Sequence, residues 1–232
     1  MRPDHYDGFA RQYAAANENG LFNAHYATPA MLALAGDVAG RRVLDAGCGA
    51  APLTAALRDR GALVSGFDAS PAMLEIARER LGPDVDLRVA DLAAPLPYPD
   101  AAFDDVVCSL VLHYLRDWSA PLAELRRVLR PGGRLVLAVN HPRILEASDP
   151  DADYFSVTSF TDDHDVDGVT VDLTYWHRPL SAMSRELTDA GFRIAVIDEP
   201  PVAPDTPEEL LPPGLPASRS FVCFLFFVLD AV

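Results

Sequence analysis

The sequence is short of basic side chains, and this shortage limits what the protein can bind. Lysine and arginine together number 19 against 34 aspartates and glutamates, which gives a formal net charge of -15. A surface of this sign repels a phosphate backbone and anionic lipid headgroups. We therefore expect neither nucleic acid nor a membrane as a partner.

Cysteines and long apolar runs are also scarce. The three cysteines, Cys48, Cys108 and Cys223, lie far apart without a CxxC spacing. This favours buried free thiols in a reducing cytosol over a disulfide or a metal site. The first 20 residues lack the apolar region of a signal peptide, and the apolar run near 221–232 is too short to span a bilayer. We expect a cytoplasmic protein that holds no metal.

What the 232 residues do contain is a regular alternation of short apolar strands and helices. A helical segment at 4–39 comes first. The predicted strands are 42–45, 63–68, 86–89, 103–110, 134–140, 192–198 and 221–229, and the predicted helices are 52–60, 71–81, 121–129 and 180–190. This alternation predicts a doubly wound α/β fold with right-handed crossovers. We divide the chain into an N-terminal helical lid segment, 1–40, and one domain, 41–232.

The alternation is interrupted after the fifth predicted strand by the polar and acidic segment 143–178, which we predict to be a loop and a β-ribbon. It leaves the sheet at the carboxyl ends of the strands, where open α/β sheets bind their ligands. We expect it to cover a substrate. The alternative is a surface excursion without a function.

The loop after the first strand has a composition that suits a ligand close to the backbone. Gly47 and Gly49 permit a close approach. A dinucleotide fingerprint would need a third glycine at the position of Pro52. Asp45, at the strand end, would repel a pyrophosphate and attract an ammonium or sulfonium group. The loop therefore predicts a positively charged nucleoside rather than a dinucleotide.

Two further aspartates follow the next two strands. Asp68 ends the second strand, 19 residues after Gly49, at the place where an acid reaches a ribose diol. Asp91 follows the third strand. Each aspartate alone is explained as a turn or helix cap, but with Asp45 there are three at successive strand ends, which caps do not explain.

Taken together, these motifs resemble the class I S-adenosylmethionine-dependent methyltransferases that act on small molecules. The segments that carry the resemblance are VLDAGCG (43–49), GFDASPAML (66–74), VADLAAPLPYPDAAFDDVVCSLVLHYL (89–115) and LRPGGRLVLAVNHP (129–142). The resemblance implies a Rossmann-like, mostly parallel seven-stranded sheet with an antiparallel pair of strands at its C-terminal end. It also implies S-adenosyl-L-methionine as cofactor and S-adenosyl-L-homocysteine as product.

The resemblance further implies a role for individual positions around the cofactor. Asp45 and the backbone of Gly47, Cys48 and Gly49 would approach the methionine moiety, and Ser109 and Leu110 would contact its amine. Asp68 would bind the ribose, with Ala69 and Met73 against the adenine and Asp91 and Leu92 on the adenine edge. Tyr6, Tyr13 and Asn23 would close over the cofactor, although the two tyrosines could equally pack the first helices on the sheet.

One position departs from the pattern of the family. Many members have glycine where this chain has Ala51. A methyl group is tolerated there if the residue has helical backbone angles rather than a positive φ. The departure bears on the affinity for the cofactor and not on the resemblance itself.

The sequence says less about the residues that bind the acceptor than about those that bind the cofactor. His141, after the fifth strand, is our candidate general base, with a structural histidine as the alternative. His113 could contact the acceptor, but packing is the favoured interpretation. The further candidates for acceptor binding are Tyr26, Tyr154, Tyr175 and Trp176. These side chains suit a medium-sized, partly apolar acceptor, neutral or cationic, methylated on oxygen or nitrogen and plausible as a natural-product intermediate.

Three other functions compete with this interpretation. A nicotinamide-dependent oxidoreductase would share Asp68, but Asp45, Pro52 and Asp91 disfavour it. A non-catalytic protein that binds the cofactor would keep all the acids and would lack an acceptor cavity beside them. The same scaffold could also catalyse a cyclisation or rearrangement. We expect a monomer or a homodimer.

Overall fold

The computed structural model describes residues 8–166, 169–212 and 221–232. The strands are β1 (Arg42–Ala46), β2 (Leu63–Asp68), β3 (Asp86–Val89), β4 (Phe103–Ser109), β5 (Leu129–Asn140), β6 (Thr158–Val166), β7 (Val169–His177), β8 (Phe192–Asp198) and β9 (Phe224–Ala231). The helices are α1 (Ala10–Asn19), α2 (Thr28–Ala35), α3 (Pro52–Asp59), α4 (Pro71–Leu81), α5 (Ser119–Val128), α6 (Ile144–Ser148) and α7 (Leu180–Asp189).

Seven of the strands form one sheet in the order β3-β2-β1-β4-β5-β9-β8. The first five in this order are parallel to one another, and β9 lies antiparallel between β5 and β8. The predicted fold class, a doubly wound and mostly parallel sheet with an antiparallel C-terminal pair, is confirmed. Because β1 to β4 run parallel, their carboxyl ends meet at one edge of the sheet.

Helices cover both faces of this sheet and bury its apolar side chains. On one face α5 and α7 contribute Leu122, Leu125 and Leu187 to the largest core cluster. On the other face α2 and α3 pack Met31 and Leu57 against β1, β5 and β9. The central strands are therefore buried on both sides, which accounts for their continuous apolar runs.

The fifth strand is longer than predicted. It begins at Leu129 rather than Arg134, because Leu129 already pairs with Phe103 of β4. The register between the two strands shifts after this pair, which accommodates the Pro131–Gly133 turn within the strand. A Cβ atom on Gly133 would lie 2.9 Å from two carbonyl oxygens, so glycine is needed there.

The helix predicted over 4–39 is interrupted in the structure. Gly20 has extended backbone angles and ends α1. A π-helical turn, Asn23–Ala27, then leads into α2. This turn buries the Tyr26 ring against Phe224 and Phe226 of the sheet. The interruption therefore places the Tyr26 side chain in the core, whereas a continuous helix would point it in another direction.

The insertion after β5 forms α6 and a two-stranded antiparallel ribbon of β6 and β7. Its strands pair over nine positions, from Thr158 with His177 to Val166 with Val169. Within the described ranges, none of the helices has the length and apolarity that a bilayer crossing requires.

Helix α4 begins with a side-chain cap that the sequence predicts. The backbone N–H of Met73 donates to Ser70 Oγ at 3.2 Å, and Pro71 follows the cap. We expect Ser70→Ala to lower the free energy of unfolding by about 1 kcal/mol, measured by urea denaturation, because one N–H of the first turn loses its partner. Ser184→Ala, within α7, is the matched control with an expected change below about 0.5 kcal/mol. Equal effects of the two substitutions would contradict the role of the cap.

Candidate active site

A cavity of about 810 Å³ opens at the carboxyl ends of β1 to β4, between α1, the π-helical turn and the ribbon. Most of the residues that the sequence singles out line it. They are Tyr13, Asn23, Asp45, Gly47, Cys48, Gly49, Asp68, Ala69, Met73, Asp91, Leu92, Ser109, Leu110, His113 and Tyr175. The size falls within the range of cavities that bind small molecules and cofactors.

The loop after β1 forms one wall and requires its glycines. Gly47 and Gly49 both have positive φ, +77° and +53°. A Cβ atom on Gly47 would come within 2.5 Å of Val111, whereas one on Gly49 would meet open space. The backbone N–H groups of Gly47 and Cys48 both donate to the Phe67 carbonyl at 2.9 Å, which fixes the loop on β2.

The condition under which a methyl group is easily tolerated at Ala51, helical backbone angles, is not met. Ala51 has φ 63° and ψ 37° and precedes α3 in the left-handed conformation. For a residue with a Cβ atom this costs on the order of 1 to 2 kcal/mol. The methyl group is fully buried in the cluster that contains Cys48 and Leu74, and this packing offsets part of the cost.

Asp68 connects the glycine loop to the start of α4. Its Oδ2 accepts the N–H of Gly49 at 2.8 Å, and its Oδ1 accepts the N–H of Ser70 at 2.9 Å. Charged acceptors form strong hydrogen bonds with backbone N–H groups, so the carboxylate is held in one orientation. A carboxylate oxygen can accept more than one hydrogen bond, so a group held in this way is also suited to bind a hydroxyl.

Asp91 follows β3 and forms a turn with the next residues. Its Oδ1 accepts the N–H of Ala93 at 2.9 Å, as expected of a turn aspartate. Its neighbour Leu92 and the Met73 side chain of α4 are both buried and also line the cavity. An apolar slot with a carboxylate at its edge suits a flat base that carries an amino group.

Asp45 lies under the glycine loop and is 2% exposed. Thr54 of α3 donates its hydroxyl to Asp45 Oδ2 at 2.6 Å. Burial raises the pKa of the Asp45 carboxyl to about 7, and the Asp68 carboxylate adds to the rise while the Thr54 hydroxyl opposes it. A positive charge in the cavity would stabilise the ionised form of this carboxyl.

This raised pKa predicts a pH-dependent stability. Between about pH 4 and pH 7 the folded state binds the Asp45 proton and the unfolded state does not. This carboxyl therefore destabilises the fold as pH rises, by up to about 1.4 kcal/mol per pH unit. Asp45→Asn keeps an oxygen for Thr54, so we expect it to gain stability relative to wild type from pH 5 to pH 7.5 in urea denaturation. A constant difference at both pH values would contradict this.

The opposite part of the cavity is lined by aromatic side chains and by the ribbon. His113 and Tyr114 follow β4, and Tyr175 of β7 packs its ring 5.3 Å from His113 and 5.2 Å from Tyr114. Asp162 of β6 and Leu173 of β7 line this part as well. We call this the aromatic half of the cavity, and the part formed by the glycine loop with Asp68 and Asp91 the acidic half.

Tyr114, Asp162 and Leu173 were missed by the sequence reasoning, although the alternation of the ribbon strands contains a signal for two of them. Leu173 and Tyr175 are two residues apart and face the cavity together. Asp162 pairs with Leu173 and therefore shares this face. Trp176 lies on the other face, under the Arg116 guanidinium, 5.4 Å from the ring centroid. Its prediction as an acceptor contact is therefore not supported by its position.

Three other predicted residues lie outside the cavity. Tyr26 is buried in the core, and its hydroxyl lies 3.5 Å from the Phe221 carbonyl. The Tyr154 hydroxyl lies 3.5 Å from the N–H of Leu180, at the base of the ribbon. His141 does not line the cavity. Tyr6 lies outside the described residues.

His141 is bound through both of its ring nitrogens. Its Nδ1 accepts the N–H of Arg143 at 3.1 Å, and its Nε2 lies 2.7 Å from Glu199 Oε1. These contacts match the alternative interpretation, a structural histidine in the turn after β5. We therefore do not retain His141 as the candidate base.

The structure also describes the groups that could bind a metal or form a disulfide. Cys48, Cys108 and Cys223 are free thiols, the first two buried and the third partly buried. In the described part of the chain, no group of three or more histidine, cysteine, aspartate or glutamate side chains could hold a metal ion.

Comparison with known proteins identifies the central part of the chain. Residues 44–137 match a family model described as a methyltransferase domain. Over 124 residues the chain is 38% identical to the demethylmenaquinone methyltransferase of Tropheryma whipplei (strain Twist), an alignment that covers 53% of this chain and 52% of that protein. The chain thus spans about half the length of the curated relatives that it matches.

Solved structures share the fold over a larger part of the chain. An S-adenosylmethionine-dependent methyltransferase from Mesorhizobium loti is similar with a TM-score of 0.65 and 24% identity, covering 87% of this chain and 96% of that one. The 1,6-didemethyltoxoflavin-N1-methyltransferase of Burkholderia thailandensis, solved with S-adenosylhomocysteine, is similar with a TM-score of 0.59 and 18% identity, covering 100% and 91%. At these identities the likeness shows the fold.

Proposed function

Since residues 44–137 match a methyltransferase domain, we propose that this chain is a class I S-adenosylmethionine-dependent methyltransferase. It would transfer a methyl group from S-adenosylmethionine to an oxygen or nitrogen of a small-molecule acceptor. One observation carries the proposal: the acidic half and the aromatic half belong to one continuous cavity. A reaction between two bound molecules needs such an arrangement, whereas a protein that only binds the cofactor needs the acidic half alone.

The acidic half fits the cofactor in shape and charge. Gly47 and Gly49 leave room for a ligand against the loop, and Asp68 presents a carboxylate to a ribose diol. Met73 and Leu92 provide apolar surface for the adenine, with Asp91 at its amino group. Asp45 supplies negative charge beneath a sulfonium or ammonium group. Ser109, Leu110, Tyr13 and Asn23 complete this half.

Bound S-adenosylmethionine supplies a methyl group on a positively charged sulfur. The chain's own contribution is to hold the acceptor in line with this group and to exclude water. Tyr114, Leu173 and Tyr175 supply the apolar wall on the acceptor side, and the ribbon covers the opening. The lid role of residues 1–40 and the covering role of 143–178 are parts of this proposal.

The described residues also bear on the competing functions. Pro52 begins α3 where a dinucleotide loop would continue with glycine, which disfavours a nicotinamide cofactor. The aromatic half beside the acidic half disfavours a protein that only binds the cofactor. A cyclisation on the same scaffold would use the same cavity and is separated from methyl transfer by the product.

Titration calorimetry with S-adenosylmethionine, S-adenosylhomocysteine and NAD tests the proposal. We expect the first two to bind with one site per chain and NAD to give no heat. Binding of NAD alone would overturn the proposed function. Turnover is then followed as S-adenosylhomocysteine released from S-adenosylmethionine in the presence of pooled phenols and amines.

A further inference from the structure

The hydrogen bonding of His113 limits what its ring can do in the cavity. The backbone N–H of Asn140, at the end of β5, donates to His113 Nδ1 at 3.0 Å. A nitrogen that accepts a hydrogen bond cannot carry a proton. In a neutral imidazole one nitrogen accepts and the other donates, so the proton lies on Nε2.

The surroundings of the ring keep it neutral. His113 is 4% exposed, and burial lowers the pKa of its imidazole to about 3. Protonation of Nδ1 would set its new proton against the N–H of Asn140. The ring therefore remains in one neutral tautomer across the physiological range and does not serve as a general base.

The orientation of the ring is also restricted. The Tyr114 ring packs against it at 4.6 Å and 64°, and the Tyr175 ring at 5.3 Å and 80°. His113 lines the aromatic half of the cavity, and Ser109 and Leu110, shortly before it in the chain, line the cavity as well. Because Nδ1 is bound to the backbone, the polar group that the ring offers to the cavity is Nε2–H.

We propose that His113 Nε2–H donates a hydrogen bond to an oxygen at the reacting end of the acceptor, either a carbonyl or an ionised enol or phenol. This inference rests on the proposed function and narrows it. A donor of fixed direction binds an oxygen lone pair and stabilises negative charge on it. An amine that arrives protonated finds no proton acceptor in this ring.

The negative charge of Asp162 on the ribbon does not change the preference for an oxygen acceptor. Asp162 is an exposed residue of β6, whereas His113 is buried at the strand ends. His113 follows β4 of the main sheet, whereas Asp162 belongs to the ribbon. Burial raises the pKa values of Tyr175 and Cys223, and the Asp162 charge adds to both rises. Solvent at this exposed residue weakens its effect with distance.

The tautomer is tested directly on the wild-type protein by ¹⁵N NMR of the histidine ring nitrogens. His113→Gln identifies the signals, because those of His113 disappear. We expect a protonated Nε2 and an unprotonated Nδ1 at pH 7, with no titration down to about pH 5. A ring protonated on Nδ1, or charged at pH 7, would overturn the proposal.

The acceptor class is tested with two probes of similar shape, 4-nitrophenolate and 4-nitroaniline, added to protein saturated with S-adenosylhomocysteine. We expect the phenolate to bind more tightly than the aniline, and His113→Phe to weaken the phenolate by about 10- to 100-fold. His141→Phe is the control, since that histidine lies outside the cavity, and should leave both affinities unchanged.

Two results would overturn the inference: a phenolate affinity no greater than that of the aniline, or a phenolate affinity that His113→Phe leaves unchanged. Calorimetry with S-adenosylhomocysteine distinguishes a failure of the proposed function from a failure of the role of His113. If wild type does not bind this nucleoside, the proposed function fails. If wild type binds S-adenosylhomocysteine and one of the two contrary probe results is found, only the role of His113 fails.

Discussion

Asp68→Ala is expected to reduce the affinity for S-adenosylhomocysteine by about 100-fold or more. The carboxylate would accept two ribose hydroxyls, and hydrogen bonds to a charged group contribute about 1.5 to 3 kcal/mol each. It also orders the loop through the N–H groups of Gly49 and Ser70. Both effects lower the affinity, and calorimetry measures their sum.

Asp86→Ala is the matched control for this substitution. Asp86 begins β3 and pairs with Arg88, whereas Asp68 lies at the far end of β2, paired with Val89. The control aspartate is therefore at the opposite edge of the sheet and should leave the affinity unchanged. Thermal unfolding by circular dichroism confirms that both variants fold. An Asp68→Ala variant that folds and binds like wild type would remove the ribose role.

Arg178→Met is expected to have the largest effect on stability, about 3 to 5 kcal/mol of unfolding free energy. Arg178 follows β7 and is 1% exposed. Its guanidinium donates to the carbonyls of Leu115 and Arg116 and to Glu186 of α7. Methionine fills a similar volume but leaves these partly buried acceptors without a donor, which is the costly part of the change.

Arg116→Met is the control for the loss of a guanidinium next to an aromatic ring. Arg116 is exposed and lies over Trp176, so we expect a change below about 1 kcal/mol. Arg178, by comparison, lies 4.6 Å from the centroid of buried Trp118. Urea denaturation of both variants gives the comparison. A loss below about 1 kcal/mol for Arg178→Met would contradict a stabilising role for its contacts with Leu115, Arg116 and Glu186.

The acidic half of the cavity could be predicted from the sequence because parallel strands bring their carboxyl ends together. Asp45, Asp68 and Asp91 each lie at the carboxyl end of a strand whose apolar run is visible in the sequence, so their proximity follows from the topology alone. The glycine loop is predictable because glycine permits a close approach to the backbone, and the structure adds that a Cβ atom on Gly47 would clash with Val111.

The backbone of Ala51 and the first helices could not be predicted in this way. Ala51 has a left-handed conformation that its residue type disfavours, and it is imposed by the turn between β1 and α3. The π-helical turn at Asn23–Ala27 depends on Tyr26 reaching Phe224, almost 200 residues away. Local propensity contains no information on such contacts.

The candidate base His141 shows a second limit of prediction from the sequence. The position of His141 after β5 predicted a side chain that enters the cavity, but its ring is bound to Arg143 and Glu199. The direction of a side chain at a strand end depends on the loop that follows, and sequence spacing does not give it. For His113 the hydrogen bond from Asn140 was equally invisible in the sequence, yet it determines which nitrogen is protonated.

The pairing of β6 with β7 has a consequence for how acceptor choice could diverge among relatives of this chain. Side chains alternate along a strand, so deleting or inserting one residue before Leu173 would exchange the face that carries Leu173 and Tyr175 for the one that carries Thr174 and Trp176. Such a change would replace several contacts of the aromatic half in a single step. The glycine loop and its aspartates belong to a separate sheet and would keep their places.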